Sequence, residues 1–275
     1  MRVFMVAVNY KSLDALISVK QKYILLSYLY IQKMKVKKVV EKMQAAKDDY
    51  GAQFFLDSGA HSFQMGTVPL NSVYQYQLDY AFFLSKYGRY FDLYAELDVD
   101  AYYTTPDAPP LQSKIQLTQI EKWNEQFENI MHRKPIGVWH PNRGLPYLEK
   151  MLHEFPHIGI SGAKEDTSIH QKRQLCNLAH RNNVMVHGFG CTKMPILKVV
   201  PFDTVDSATW MINTTQFGSF IQYVPGKLKQ STVAKFKKSE TVRNRQWSAQ
   251  QWKYVCDFFE KCETAKEVVV DDKAI

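Results

Sequence analysis

Short runs of consecutive apolar, β-branched and aromatic residues alternate along the chain with longer segments whose apolar positions recur every three to four residues. The first pattern suits strands buried on both faces and the second amphipathic helices, so their alternation predicts βα units around a parallel sheet. The strand-like runs are Arg2–Val8, Gln53–Asp57, Leu93–Asp98, Ile136–His140, His157–Ser161, Val184–His187, Phe202–Asp206 and Phe220–Val224. Helical periodicity covers Asn71–Tyr87, Gln112–Ile130, Leu145–Phe155 and Ser168–Asn182, with Pro and Gly at the joins. Residues 11–50 do not divide cleanly by this criterion. Eight strands within 275 residues are what a closed (β/α)8 TIM barrel needs, and that is the expected α/β fold. Ser248–Lys261 reads as a terminal helix carrying Trp252 and Phe259 seven residues apart. The expected organisation is a catalytic barrel over 1–225 and a basic C-terminal helical extension over 226–275 packed on it.

Composition narrows the class. Apolar residues make up 45% of the chain, enough for a large core. The run Val3–Val8 is too short for a signal-peptide core and Tyr23–Ile31 too short to span a bilayer, so a soluble cytoplasmic protein without a membrane partner is expected. Cys176, Cys191, Cys256 and Cys262 are scattered without C-x-x-C spacing, which signals neither a disulfide framework nor a thiolate zinc site. The net charge of +8 is concentrated in two stretches. Lys20, Lys22, Lys33, Lys35, Lys37, Lys38, Lys42 and Lys47 face a single acid, Glu41, in the first. Lys227, Lys229, Lys235, Lys237, Lys238, Arg243 and Arg245 face only Glu240 in the second. Clustered positive charge suits a phosphate backbone, because each neutralised phosphate releases counterions; the second stretch is the candidate nucleic-acid contact.

The candidate chemistry sits at the ends of the strand-like runs. Phe54-Phe55-Leu56 ends at Asp57, Tyr94-Ala95-Glu96-Leu97 at Asp98, and Ile136-Gly137-Val138-Trp139 at His140. Ile158-Gly159-Ile160 ends at Ser161, Val184-Met185-Val186 at His187, and Thr204-Val205 at Asp206. All C-terminal strand ends of a parallel barrel open on one face, so these distant residues are expected around one pocket. Small residues follow directly at Ser58-Gly59-Ala60, Gly162-Ala163 and Gly188-Phe189-Gly190, where backbone could approach a flat heterocycle. Tyr102, Tyr103 and Trp210 are candidate stacking partners.

The stretch Asp57-Ser58-Gly59-Ala60-His61-Ser62-Phe63 resembles the D-S-G-[GA]-x-[QS] loop of the tRNA-guanine/queuine transglycosylase superfamily, whose members are (β/α)8 barrels. His187-Gly188-Phe189-Gly190 and Pro201-Phe202-Asp203-Thr204-Val205-Asp206-Ser207-Ala208-Thr209-Trp210 are similar to the H-G-F-G…P-F-x-[ST]-V-D-S-x-x-W stretch of short phage DpdA-like 7-deazaguanine DNA transglycosylases. The resemblance covers residues 50–215. It implies exchange of guanine in nucleic acid for a 7-deazaguanine such as preQ0 or preQ1 through a covalent glycosyl-aspartate, without a cofactor, in a bacterial or phage-infected host cytoplasm. Asp206 is then the nucleophile and Asp57 the general acid/base, while Asp98, Ser161 and Gly162 read the base. Ser58, Gly59, His140, His187, Gly188, Asp203 and Trp210 complete the implied substrate site. The F-D-x-V sequence that carries the nucleophile in the tRNA enzymes leaves Asp203 as the alternative to Asp206, although strand alternation turns Asp203 toward the helical layer. The family's C-x-C-x-x-C…H zinc site is missing, which favours DNA over tRNA as acceptor.

Two other readings fit the same residues. A metal-dependent barrel hydrolase could use Asp57, Asp98, Asp100, His140, His187 and Asp206 as ligands, although the H-x-H pair of many such enzymes is absent. A non-catalytic barrel could bind nucleic acid through its lysines alone.

Overall fold

Parallel pairing organises β1 (Arg2–Ala7), β2 (Tyr23–Ser27), β3 (Gln53–Asp57), β4 (Leu93–Tyr94), β5 (Gly137–Trp139), β6 (His157–Ser161), β7 (Met185–Phe189) and β8 (Thr204–Ser207) into one sheet. Its strand order in the computed structural model, which describes residues 1–105, 108–161, 168–211, 219–224, 227–232 and 241–261, is β4-β3-β2-β1-β8-β7-β6-β5. The two ends meet. A parallel bridge joins Ala95 to Ile136, with Ile136 N donating to Tyr94 O at 2.8 Å and Glu96 N to Ile136 O at 3.1 Å. The sheet is thereby closed into a (β/α)8 barrel, which removes its edges.

Helices α1 (Tyr10–Ser18), α2 (Val36–Tyr50), α3 (Val73–Tyr87), α4 (Leu117–Met131), α5 (Gly144–Glu154) and α6 (Ile169–Arg181) follow the first six strands. Local chemistry sets their limits. Asn9 and Ser12 form a reciprocal capping box at the start of α1, and Ser168 and Gln171 do so at α6. Gly51, at φ +69°, ends α2 in the left-handed region. The amphipathic pattern is spent on the sheet: α2, for example, buries Val39, Val40, Met43 and Ala46.

The expected eighth strand requires correction. Phe220–Val224 lies in β9 (Ser219–Val224), which pairs antiparallel with β10 (Lys227–Thr232) as a hairpin separate from the barrel sheet. The missing barrel strand is β2, inside the stretch that periodicity left undivided. Tyr23-Ile24-Leu25-Leu26-Ser27 runs into a short helix, Tyr28–Ile31, with Ser27 the single polar residue between them, so a nearly continuous apolar run hides a strand-to-helix junction. Periodicity likewise cannot distinguish a strand that pairs locally from one that pairs at a distance.

Within the span expected to form an extension, α7 (Thr241–Lys261) completes the helical layer. It packs on α1 and β1 through buried Trp252, Val255, Cys256 and Phe259. Its last turn reaches the N-terminal end of the barrel, where Glu260 accepts from Lys22 Nζ at 2.7 Å and Tyr23 Oη at 2.6 Å. A 21-residue helix is about 30 Å long, so its first turn lies toward the opposite end.

Two separate apolar clusters follow from strand alternation. Val3, Met5, Ile24, Leu26, Phe54, Leu56, Ile158 and Val186 face outward to the helices, in the larger core. Phe4, Val6, Tyr23, Leu25, Phe55, Ala95 and Ile136 face inward and fill the barrel. The Phe4 ring stands 5.4 Å from Tyr23 and 5.7 Å from Phe55, plugging the lower interior. The upper interior stays open. Among the described residues, no helix is long and apolar enough to cross a membrane.

Candidate active site

A cavity of about 480 Å³ occupies the C-terminal end of the barrel. Its floor is apolar, from Val6, Leu25, Ala95, Val138 and Phe189, and its rim carries Asp57, Asp98, His140, Ser161 and Asp206. Gly59 also lines it. Five residues taken from the ends of five strand-like runs therefore converge, as the geometry of a parallel barrel requires.

Asp57 ends β3 and stands in register with Ser27 on β2. Its Oδ2 accepts from Gly59 N at 3.1 Å, and Ser27 adds a side-chain hydrogen bond. Desolvation dominates its titration, and the charges of Asp206 and Asp98 push in the same direction. The pKa rises from 3.8 to about 6 against the opposing pull of those hydrogen bonds. Gly59 has a strict geometric role: its φ is +85°, and a Cβ there would stand 2.6 Å from Tyr76 Oη and 2.9 Å from Leu29 Cβ. That tight turn aims the Gly59 amide at Asp57.

Asp98 and His140 form a buried pair, with Nε2 2.6 Å from Oδ2. Gln64 Nε2 locks the pair by donating to Asp98 O at 2.7 Å and to Asp98 Oδ2 at 2.9 Å. Burial lowers the His140 pKa, but the hydrogen bond and charge of Asp98 outweigh it and the net shift is upward. Beneath lies Arg143, whose Nε and Nη2 bind the two oxygens of Asp100 at 2.8 and 2.6 Å, while Nη1 binds Glu96 Oε1 at 2.6 Å. Arg143 Nη1 also donates to Val138 O. Glu96 accepts in addition from Val138 N at 2.7 Å and Asn124 Nδ2 at 2.5 Å. Glu96 and Asp100 thus serve as struts that tie the segment carrying Asp98 to β5. Asp100, a candidate metal ligand on sequence grounds, is committed to Arg143. Among the described residues no three His, Cys, Asp or Glu side chains converge as a metal-ligand set.

Asp206, on β8, accepts through Oδ1 from Gly190 N at 2.9 Å, with His187 Nε2 3.2 Å away. Asp203 sits elsewhere, before β8 begins. It accepts from His180 Nε2 at 2.9 Å and Val186 N at 2.8 Å, partners that outweigh desolvation and lower its pKa. Asp203 is thus bound to α6 and β7 rather than to the cavity.

Several other candidate residues have structural rather than lining positions. Trp210 is fully buried and donates from Nε1 to Val6 O at 2.9 Å. Ser58 is buried, its carbonyl accepting from Tyr76 Oη at 2.6 Å. Gly188 is required by packing, since a Cβ would meet Cys191 and Phe202 at 2.8 Å. His187 lies behind Asp206, fully buried. Tyr103 lines the cavity; Tyr102 belongs to a short ribbon pairing Ala101–Tyr102 with Leu111–Gln112. Gly162, Ala163, Lys235, Lys237 and Lys238 lie outside the described residues. Lys227 and Lys229 fall in β10, and Arg243 and Arg245 in the first turns of α7. Cys176, Cys191 and Cys256 are free and buried, with thiols shifted upward by desolvation; Cys262 lies outside the described residues.

Sequence reasoning missed Ser27, Tyr30, Gln64 and Met65, all of which line the cavity. Ser27 and Tyr30 were hidden with β2. Gln64 ends a short helix, Ala60–Gln64, directly after the Asp57 loop, and its spacing from Gly59 was the available signal.

The lysines of the first basic stretch divide between the two ends of the barrel. Lys20, Lys22 and Lys47 pair with Asp49, Glu260 and Asp92 near the N-terminal end, and Lys42 pairs with Asp14. Lys33, Lys35, Lys37 and Lys38 follow directly from Tyr30 on the cavity rim, and all four are exposed.

No protein-family model matches the chain, and no curated protein matches its sequence. Among solved structures it is similar to a protein described as a putative fructose-1,6-biphosphate aldolase from Coccidioides immitis, at 13% identity and a TM-score of 0.56, covering 97% of this chain and 92% of that one. Orotidine 5'-monophosphate decarboxylase from Methanocaldococcus jannaschii, complexed with the inhibitor BMP, gives 11% identity and a TM-score of 0.48, over 93% of this chain and 98% of that one. At 13% identity the likeness to the first of these is one of fold alone, and it agrees with the (β/α)8 barrel described above.

Proposed function

We propose that the chain is a pentosyltransferase that exchanges guanine in nucleic acid, with DNA the favoured acceptor, for a 7-deazaguanine. The observation that carries the reading is that Asp57 and Asp206 line one cavity while differing in environment. Two carboxylates in unlike surroundings are the requirement for a double displacement at an anomeric carbon.

Asp206 is the nucleophile. Its Oδ1 is anchored by Gly190 N and His187, which leaves Oδ2 to attack C1′. As the O–C1′ bond forms, the C1′–N9 bond breaks and its electron pair departs with guanine. Asp57, raised to about 6, is a competent acid near neutrality and protonates the leaving base. In the second half the resulting carboxylate takes the N9 proton of the incoming base, N9 attacks C1′, and Asp206 is released. The Asp98, His140 and Gln64 group faces the ring edge of the base, where a carboxylate held in one position accepts from its N–H groups. The target nucleotide must leave its stack to reach this cavity. Lys33, Lys35, Lys37 and Lys38 stand where the adjoining phosphates would pass, and Arg243 and Arg245 lie in the helix that begins toward the same end.

The test is incubation of the purified protein with DNA and with tRNA in separate reactions containing a 7-deazaguanine, followed by nucleoside mass analysis. A 7-deazaguanosine or its deoxy counterpart is expected in one of them. Its absence from both, with folded protein, contradicts the proposal.

A further inference from the structure

Behind Asp206 a chain of buried polar groups crosses three adjacent strands. His187 Nε2 lies 3.2 Å from Asp206 Oδ1, His187 Nδ1 lies 2.8 Å from Thr204 Oγ1, and that oxygen lies 3.2 Å from His157 Nε2. All three interior residues are buried. The His187 ring is wedged edge-on between Phe55, at 4.9 Å, and Phe189, at 4.4 Å, so it has little freedom to turn. No step of the base-exchange mechanism uses His157 or Thr204.

The direction of each hydrogen bond follows from counting protons. Burial, the dominant cause, pushes the His157 pKa down to about 3, so this ring is neutral and carries one N–H. Its Nδ1 is buried without a partner among the described residues. An orphaned buried N–H is rarer and more costly than an orphaned acceptor, which places the proton on Nε2. His157 Nε2–H then donates to Thr204 Oγ1. The threonine has a single proton, which it gives to His187 Nδ1. His187 must therefore hold its own proton on Nε2, and it donates that proton to Asp206 Oδ1. Gly190 N donates to the same oxygen.

We propose that His157, Thr204 and His187 form a one-way hydrogen-bond relay that fixes His187 as the Nε2–H tautomer and holds Asp206 with Oδ1 anchored and Oδ2 free to react. The inference rests on the reading of Asp206 as nucleophile, and it makes His157 and Thr204 positioning residues rather than catalytic ones. It also assigns the relay a part in both half-reactions. When Oδ2 bonds C1′, Oδ1 becomes the ester carbonyl oxygen and keeps both donors. The same two donors stabilise the carboxylate as it leaves again. A buried, mutually polarising chain is stronger than its members taken singly, because low polarity strengthens each bond.

The test reads the tautomer and the turnover separately. With ¹⁵N-histidine-labelled protein, the nitrogen shifts of His187, assigned with a His187→Asn variant, are expected to show a neutral ring protonated at Nε2. A ring protonated at Nδ1, or at both nitrogens, reverses the relay and overturns the inference whether or not base exchange occurs. Thr204→Val removes the hydroxyl at nearly constant volume, and Thr204→Ser retains it. For Thr204→Val, kcat is expected to fall about 10–100-fold, the size of loss that follows removal of the partner orienting a metal-ligating histidine, with KM little changed. Thr204→Ser should recover most of it. Equal kcat in wild type and Thr204→Val, or equal loss in both variants, contradicts the positioning role. If wild-type protein shows no base exchange yet the Nε2–H tautomer is found, the functional reading fails and the relay stands.

Discussion

Replacing Asp57 by asparagine removes a carboxylate that the folded protein ionises reluctantly, so the variant should be more stable than wild type at neutral pH. The Asp57 pKa is about 6 in the fold against 3.8 for the free side chain, a difference of roughly two pH units dominated by desolvation. At about 1.4 kcal/mol per unit this amounts to ~3 kcal/mol of destabilisation when the group is fully ionised. The sign follows from the direction of the shift. Well below pH 4 folded and unfolded chains both carry the proton and the penalty vanishes. It grows between about pH 4 and 6, where the unfolded chain ionises before the folded one, and is complete above. The amide introduced by Asp57→Asn would still offer an oxygen to Gly59 N, which lies 3.1 Å from Asp57 Oδ2 in the wild type, so most of the loop geometry is kept. Allowing for an imperfect fit of the amide, the expected gain is about 1–3 kcal/mol at pH 8 and no more than ~0.5 kcal/mol at pH 4. Urea unfolding of both proteins at several values between pH 4 and 8 measures it. A stability difference that does not vary with pH, or a wild type that is the more stable at pH 8, refutes the reasoning. In the same variant base exchange should be lost, the combination expected when stability has been given up for chemistry.

Arg143→Met leaves Glu96 and Asp100 buried without their cation and should destabilise the protein by about 3–5 kcal/mol in denaturant titration; a loss under about 1 kcal/mol would show that the cluster is not a strut. Gly59→Ala meets both a positive φ and a 2.6 Å contact, whereas Gly51→Ala, at φ +69° with nothing within 4 Å, meets only the first. The Gly51 change should cost about 1 kcal/mol and the Gly59 change clearly more; equal losses in thermal unfolding would discount the steric argument. Neutralising Lys33, Lys35, Lys37 and Lys38 with Gln should flatten the dependence of DNA affinity on salt by about 0.9 in log–log slope per lysine that touches a phosphate. The same treatment of Lys20, Lys22 and Lys47 should leave the slope unchanged, and an equal effect of both sets would place the nucleic acid elsewhere.

The barrel was legible because parallel strands buried on both faces are written as uninterrupted apolar runs, and seven of its strands have polar flanks that mark their ends. β2 was not legible: Tyr23–Ser27 passes into the Tyr28–Ile31 helix without a polar residue outside Ser27, and apolar character alone does not record a change of backbone conformation. Phe220–Val224 has a strand's composition but a local antiparallel partner, and pairing distance leaves no trace in periodicity. At the site, the position of Asp57, Asp98, His140, Ser161 and Asp206 on the cavity follows from the single rule that parallel strands end on one face. What that rule cannot give is which polar neighbours serve one another. Trp210 and Gly188 sit in a motif that reads as substrate-facing, yet the first caps a β1 carbonyl and the second makes room for Cys191 and Phe202. Arg143 reaches Glu96 and Asp100 from more than forty residues away, a pairing that depends on adjacency of two barrel strands and on nothing local.

The proposed double displacement requires Asp206 to bond to a sugar carbon. Protein denatured during turnover with a DNA duplex and a 7-deazaguanine, then digested, should yield a peptide containing Asp206 whose mass has increased by that of the attached nucleic-acid fragment. The adduct should be absent from Asp206→Asn and should accumulate when the incoming base is withheld. An adduct on Asp57 or any other residue, or continued exchange by Asp206→Asn, would contradict the assignment.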